Sequence, residues 1–211
     1  MSDKLLDFGG AVAIVTGAGR GLGRAHAVML ASRGCRVVVN DLAGDDDPAG
    51  EVVAEIVAAG GTATADHHSV IDEPAGIVDT ARQQFGQLDI VVNNAGVLEG
   101  STLADTDPEL WHRVFDIHFR GTVDVCRAAW PHLVSSGHGR IINTSSSGML
   151  GNSGLTSYGA AKAAVFGFTR SLAIEGLPLG IGVNCILPSA RTRITDMIED
   201  ADVAATLKAH F

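Results

Sequence analysis

Residues 15–25 read VTGAGRGLGRA, and how this stretch is read decides the fold. The run leading into it, AVAIVT (11–16), is apolar and β-branched like a buried strand, and a helical pattern follows from about residue 21. Between them Gly17, Gly21 and Gly23 stand at a G-x-x-x-G-x-G spacing. Glycines there permit a tight turn, let backbone approach a pyrophosphate closely, and leave a helix N-terminus facing the anion. A glycine-rich turn alone also marks ordinary strand-to-helix junctions. Strand, glycines and helix in this order favour a dinucleotide site.

Outward from this turn, short apolar runs alternate with helical stretches. Strands are expected at 11–16, RVVVN (36–40), TATAD (62–66), DIVVNN (89–94), RIINTS (140–145) and GVNCIL (182–187). Helices are expected near 21–33, 50–59, 73–85, 108–134 and 157–177. The fourth opens with TDPE, a capping box from Thr106 to Glu109 with Pro108 in the first turn. Because the strands are apolar almost throughout, helices should cover both faces of a parallel sheet. The expected fold is a three-layer, doubly wound α/β fold of Rossmann type, residues 1–211 forming one domain. After GVNCIL there is a polar loop and room for one helix near 202–210 but no further strand, so the last strand is expected to be an edge.

Composition agrees with one globular unit: 46% hydrophobic residues, 26 glycines and only 18% charged. A net charge of -9 disfavours nucleic acid and anionic membranes, so a phosphate-bearing ligand needs local donors. The N-terminus has no signal-like apolar core, and no run approaches eighteen apolar residues. Cys35, Cys126 and Cys185 are odd in number and far apart, which suits a reducing, cytoplasmic setting. His67 and His68 are neighbours and cannot easily chelate one metal; no metal site is expected.

At the end of the second strand Asp41 follows the last of those glycines by eighteen residues. A carboxylate there accepts from ribose hydroxyls and repels a 2′-phosphate, which favours NAD over NADP. Arg20 and Arg24 pull the other way, because guanidinium groups suit a 2′-phosphate. NNAG (93–96) ends the fourth strand, where Asn94, Ala95 and Gly96 again allow close backbone approach. Tyr158 is the only tyrosine of the chain, and Lys162 lies one helical turn on, on the same face. An adjacent ammonium favours the phenolate and turns a weak base into a usable one. Ser145, at the end of RIINTS, brings a hydroxyl to the same sheet edge. Each of the three alone reads as core, solvated end or polar turn; together, after a dinucleotide turn, they read as a site for proton transfer coupled to hydride transfer.

TGAGRGLG, NNAG, and Ser145 followed by YGAAK resemble the short-chain dehydrogenase/reductase family over essentially the whole chain from about residue 8. The resemblance implies Tyr158 as general acid/base, Lys162 holding the nicotinamide ribose and depressing the tyrosine pKa, and Ser145 positioning the substrate oxygen. It implies cofactor contacts from Gly17, Arg20, Gly21, Leu22, Gly23, Asp41, Ser69, Val70, Asn94, Ala95, Gly96, Pro188, Ala190 and Thr192, besides Tyr158 and Lys162. VVNDL, RAAWP, GRIINTSS, SLAIEG and PSARTRITD look most like the branch of (3R)-hydroxyacyl-CoA dehydrogenases found in peroxisomal multifunctional enzymes of type 2 and their bacterial relatives. That branch implies NAD, an acyl-CoA substrate and a homodimer or homotetramer.

The sequence departs from the wider family in places. DIHFRGT puts His118 where an asparagine usually helps carry a relay water, as this branch also tends to do; His118 is either a relay or a buried histidine satisfied by backbone. DHHSV lacks the usual adenine-binding aspartate, leaving Ser69 and Val70 as neighbours. LPSA replaces the usual Pro-Gly after the sixth strand, and Arg191 and Arg193 stand where CoA phosphates or solvent would meet them. Family members typically continue through a seventh strand, so the chain is expected to be C-terminally incomplete. The leading expectation is an NAD-dependent dehydrogenase of a 3-hydroxyacyl thioester. The alternatives are an NADP-dependent ketoacyl or small-ketone reductase and a non-catalytic dinucleotide-binding protein.

Overall fold

A computed structural model describes residues 7–188. Ala190, Arg191, Thr192, Arg193 and the helix expected near 202–210 lie outside the described residues. Six parallel strands, β1 (Val12–Thr16), β2 (Arg36–Asn40), β3 (Thr62–Asp66), β4 (Ile90–Asn93), β5 (Arg140–Thr144) and β6 (Gly182–Ile186), form one sheet in the order β3-β2-β1-β4-β5-β6. The doubly wound reading holds. All strands are parallel, so Thr16, Asn40, Asp66, Asn93, Thr144 and Ile186 end at one edge of the sheet. Among the described residues β6 pairs only with β5.

The helices are α1 (Gly21–Ser32), α2 (Pro48–Ala58), α3 (Pro74–Phe85), α4 (Pro108–Phe115), α5 (Gly121–Ser136) and α6 (Thr156–Gly176). The uninterrupted strand residues follow from two-sided burial. Val12 and Ile14 pack in a cluster with Ile77, Val78, Val125 and Leu133 of α3 and α5, whereas Ala13 and Val15 pack in a second cluster with Ala27, Leu30, Val52 and Ile56 of α1 and α2. Alternate side chains of β1 thus face opposite helical layers. Each fully buried Val or Ile contributes roughly 1.5–3 kcal/mol, which fixes the sheet on which the site is built.

Two local readings are corrected. The cap of α4 is Asp107, whose carboxylate accepts from Glu109 N at 2.8 Å. Thr106 instead donates to Thr102 O at 2.6 Å. Aspartate, one residue nearer Pro108, reaches the free N–H groups, and the capping box is not formed. Nor is 108–134 one regular helix: Asp116–Arg120 forms a π-helical turn between α4 and α5. Such an insertion often marks a functional position, and His118 lies within it.

Candidate active site

β1 and β4 are neighbours whose following chains leave in opposite directions along the sheet, which opens a crevice at their C-terminal ends. Gly17 has φ +60°, and a Cβ there would lie 2.8 Å from Ala95 Cα. Gly23 is closer still, since a Cβ would meet Gly17 O at 2.1 Å. Both glycines are required by contact between the turn and the loop after β4. Gly21, at φ +55°, has nothing within 4 Å of a Cβ among the described residues. A closed turn behind an open glycine at the start of α1 is a cradle that fits a pyrophosphate. Leu22 is half-buried in the first turn of that helix.

The turn is tied to the NNAG loop by side chains. Asn94 Nδ2 donates to Thr16 O and Gly17 O, both at 3.0 Å, and Thr16 Oγ1 accepts from Asn94 N and Ala95 N at 3.0 Å each. Thr16 escaped the sequence reading because a threonine closing a strand is unremarkable; only the loop packed across it reveals its work. Val70 lines a narrow cleft with Thr16, Asn93, Ala95 and Gly121. Ser69 is turned inward on its own loop, accepting from Ile71 N and Asp72 N. Asp41 accepts from Gly19 N at 2.8 Å and Leu42 N at 2.9 Å. Arg20 pairs with Asp46 and Arg24 with Glu55. His67 and His68 lie just beyond β3 rather than within it; His68 Nδ1 meets Asp66 at 2.7 Å. Among the described residues no group of three or more His, Cys, Asp or Glu is arranged for a metal.

The structure brings Tyr158, Lys162, Ser145 and His118 together beside this crevice. Lys162 is buried and its Nζ lies 5.7 Å from the Tyr158 ring centroid, donating to Thr144 O at 2.7 Å. Ser145 Oγ donates to Lys162 O at 2.8 Å. The end of β5 is thereby bound to α6 from both sides. Gly148, in the 3-10 turn Ser147–Leu150, backs the phenol: a Cβ there would lie 3.1 Å from Tyr158 Cε1. Pro188, at the end of the described residues, is half-buried.

The electrostatics differ from the expectation in one respect. Burial raises the Tyr158 pKa above its usual value, opposed by the nearby Ser146 side chain. The lysine bears the larger effect. Burial pushes its ammonium down to about 8. The physical reason is shared: phenolate and ammonium are both costly in a dry site, and the lysine spends its closest contact on the neutral Thr144 carbonyl.

His118 is buried, with its ring edge-to-face against Tyr158, centroids 5.2 Å apart. Its Nε2 lies 2.7 Å from Val97 O and 3.2 Å from Val97 N. A lone pair facing a carbonyl at that shorter distance would be repelled, so Nε2 carries the proton and donates to Val97 O. Nδ1 has no partner. Burial, then Lys162, hold the pKa at about 3, so the ring stays neutral. The geometry shows His118 buried and held by backbone at Nε2 alone.

Other buried polar groups went unread in the sequence. Asn93 donates to Asn143 Oδ1 at 2.8 Å and to Cys126 Sγ at 3.1 Å, and Asn143 donates to Thr169 at 2.9 Å. This chain joins β4, β5 and α6 below the site. Cys35, Cys126 and Cys185 are free.

Comparison with known proteins places this geometry. The family model described as short chain dehydrogenase matches residues 11–204. The chain is 44% identical over 207 residues to a peroxisomal hydratase-dehydrogenase-epimerase of Neurospora crassa, covering 98% of this chain and 23% of that protein. It is 45% identical over 205 residues to peroxisomal multifunctional enzyme type 2 of Drosophila melanogaster, covering 93% and 34%. The chain thus spans no more than about a third of these relatives' length. Among solved structures, carveol dehydrogenase from Mycobacterium avium in complex with NAD superposes with a TM-score of 0.86 at 28% identity, covering 97% of this chain and 84% of that one. No described helix is long and apolar enough to cross a membrane.

Proposed function

The chain belongs to the short-chain dehydrogenase family and is an oxidoreductase, and on that premise we propose that it interconverts a (3R)-hydroxyacyl-CoA and its 3-ketoacyl-CoA with NAD. The observation that carries the reading is a phenol and a buried ammonium side by side at the C-terminal edge of the sheet, next to a glycine cradle. When bound, the nicotinamide supplies the hydride acceptor. Tyr158 takes the proton of the substrate hydroxyl. Lys162 favours the phenolate as it forms, because in a dry site each charge offsets the desolvation cost of the other. Ser145 has committed its one O–H to Lys162 O, so its lone pairs are left to accept from the substrate hydroxyl. Asp41 stands at the end of β2, where a carboxylate suits the ribose hydroxyls of NAD.

The acyl-CoA class rests on the resemblance to the multifunctional enzymes, as does assembly into a homodimer or homotetramer, which light scattering checks. The free thiols favour a reducing, cytoplasmic compartment, although the two relatives are peroxisomal by name. The deciding experiment follows NADH absorbance with 3-hydroxyacyl-CoA, steroid and simple alcohol substrates, in wild type and Tyr158→Phe. Wild type is expected to prefer the thioester, and the variant to lose turnover by about 10²- to 10⁴-fold while titrating with NADH as before. Undiminished turnover in the variant overturns the mechanism; preference for another alcohol overturns the substrate class.

A further inference from the structure

We propose that Asp46 and Glu55 set the preference for NAD by occupying Arg20 and Arg24. The inference rests on the reading that the glycine turn receives the pyrophosphate and Asp41 the adenosine ribose. A 2′-phosphate would bring close to two negative charges, and guanidinium groups are the side chains best shaped to hold it. Arg20 belongs to the turn and Arg24 to the start of α1. Both are already engaged.

Arg20 Nη2 lies on Asp46 Oδ2, from the loop before α2, and Arg24 Nη2 lies 2.6 Å from Glu55 Oε1, from α2 itself. The third basic side chain at this rim is in the same state: His67 Nδ1 contacts Asp41 O at 3.0 Å, and its Nε2 is 3.6 Å from Asp47 Oδ1. Asp41, by contrast, is held in place against the turn. A Cβ on Gly19 would lie 2.8 Å from Asp41 Oδ2 and 2.6 Å from Pro48 Cβ, so turn, carboxylate and the first residue of α2 are in contact.

A 2′-phosphate must therefore approach a fixed carboxylate and displace two ion pairs to find a cation. A 2′-hydroxyl meets neither obstacle, and Asp41 can accept its proton. The acidic loop, a solvated charge run by sequence, thus acts as a set of counter-ions for the arginines. Both pairs are about half exposed, so each is individually weak, and the discrimination they add is modest and separable from that of Asp41.

The test is fluorescence titration of the full chain with NADH and NADPH, for wild type, D46N, E55Q, the double variant, D46N/R20A, and D45N. Asp45 sits in the same loop and makes no ion pair among the described residues, so D45N removes an equal charge without releasing an arginine. D46N and E55Q are each expected to tighten NADPH about threefold, and the double variant about tenfold, with NADH changed less than about twofold. D45N is expected to leave NADPH near the wild-type value, and R20A to cancel the gain of D46N. An unchanged NADPH affinity in the double variant overturns the proposal, as does D45N matching D46N, which would make the effect one of general charge. Wild type binding NADPH more tightly than NADH overturns the cofactor reading itself, and the two failures are told apart by that first measurement.

Discussion

His118 stands edge-on to Tyr158, ring planes at 89° and centroids 5.2 Å apart, while its Nε2 is bonded to the backbone of Val97. One neutral ring thus spans the loop after β4, the π-helical turn and the Tyr158 face of α6. The loop that lines the crevice and the phenol are positioned by the same side chain.

For His118 the prediction concerns pH. Its folded pKa of about 3 lies below the unfolded value of about 6.5, so the unfolded chain binds more protons between these limits. Stability from this group is complete above about 6.5 and is lost as pH falls toward 3. His118→Asn is expected to flatten that part of the melting-temperature profile. The wild-type rate profile should show no limb from imidazolium between pH 5 and 8; such a limb, absent in the variant, would revive a proton relay through His118.

Lys162 is expected to trade stability for chemistry. Its folded pKa of about 8 lies below the unfolded value of about 10.4, so at pH 7 the fold carries a buried ammonium at a cost relieved as pH rises from 8 toward 10. Lys162→Met should melt higher than wild type at pH 7, with the gap narrowing near pH 10, and should lose turnover. A lower melting temperature at pH 7 would show that the bond to Thr144 O outweighs desolvation.

The glycines of the turn are expected to separate. Gly17→Ala combines a positive φ with a 2.8 Å approach to Ala95 Cα and should destabilise by about 2 kcal/mol or more. Gly21→Ala meets only the backbone penalty, about 1–2 kcal/mol, yet places a methyl in the cradle. Urea unfolding should rank Gly17→Ala as the less stable variant, while NADH titration should show both weakened. Intact binding in Gly21→Ala would remove the pyrophosphate from that position.

Thr16 offers a test of the joint between turn and loop. Thr16→Val keeps the shape but strands the N–H groups of Asn94 and Ala95, at a cost of about 1–3 kcal/mol, whereas Thr16→Ser keeps the acceptor and should lose less than half as much. A loss in Thr16→Ser as large as that in Thr16→Val would show that the methyl contacts, which only the serine variant lacks, matter as much as the acceptor.

Much of this molecule was legible in the residues. The apolar runs predicted six strands within a residue or so at each end, because burial on both faces leaves no choice of side chain at Val12 to Val15 or Val37 to Val39. Ser145, Tyr158 and Lys162 were found by type and spacing, since one helical turn puts Tyr158 and Lys162 on one face wherever α6 lies. Contacts between distant segments left no such mark. Thr16 beneath Asn94, Asp46 on Arg20, and Asn93 with Asn143 and Cys126 depend on how loops cross the sheet.

The sequence by itself thus determined the layers, the glycine cradle and the chemical types at the site. It also carried the family resemblance, because TGAGRGLG, NNAG and YGAAK are short runs that each segment holds alone. Only the tertiary structure decided the charge states and the partners: that Lys162 sits dry beside Tyr158, that His118 is neutral and bound to Val97, and that Arg20 and Arg24 are engaged. Burial and pairing arise between segments far apart in the chain, and no local pattern encodes them.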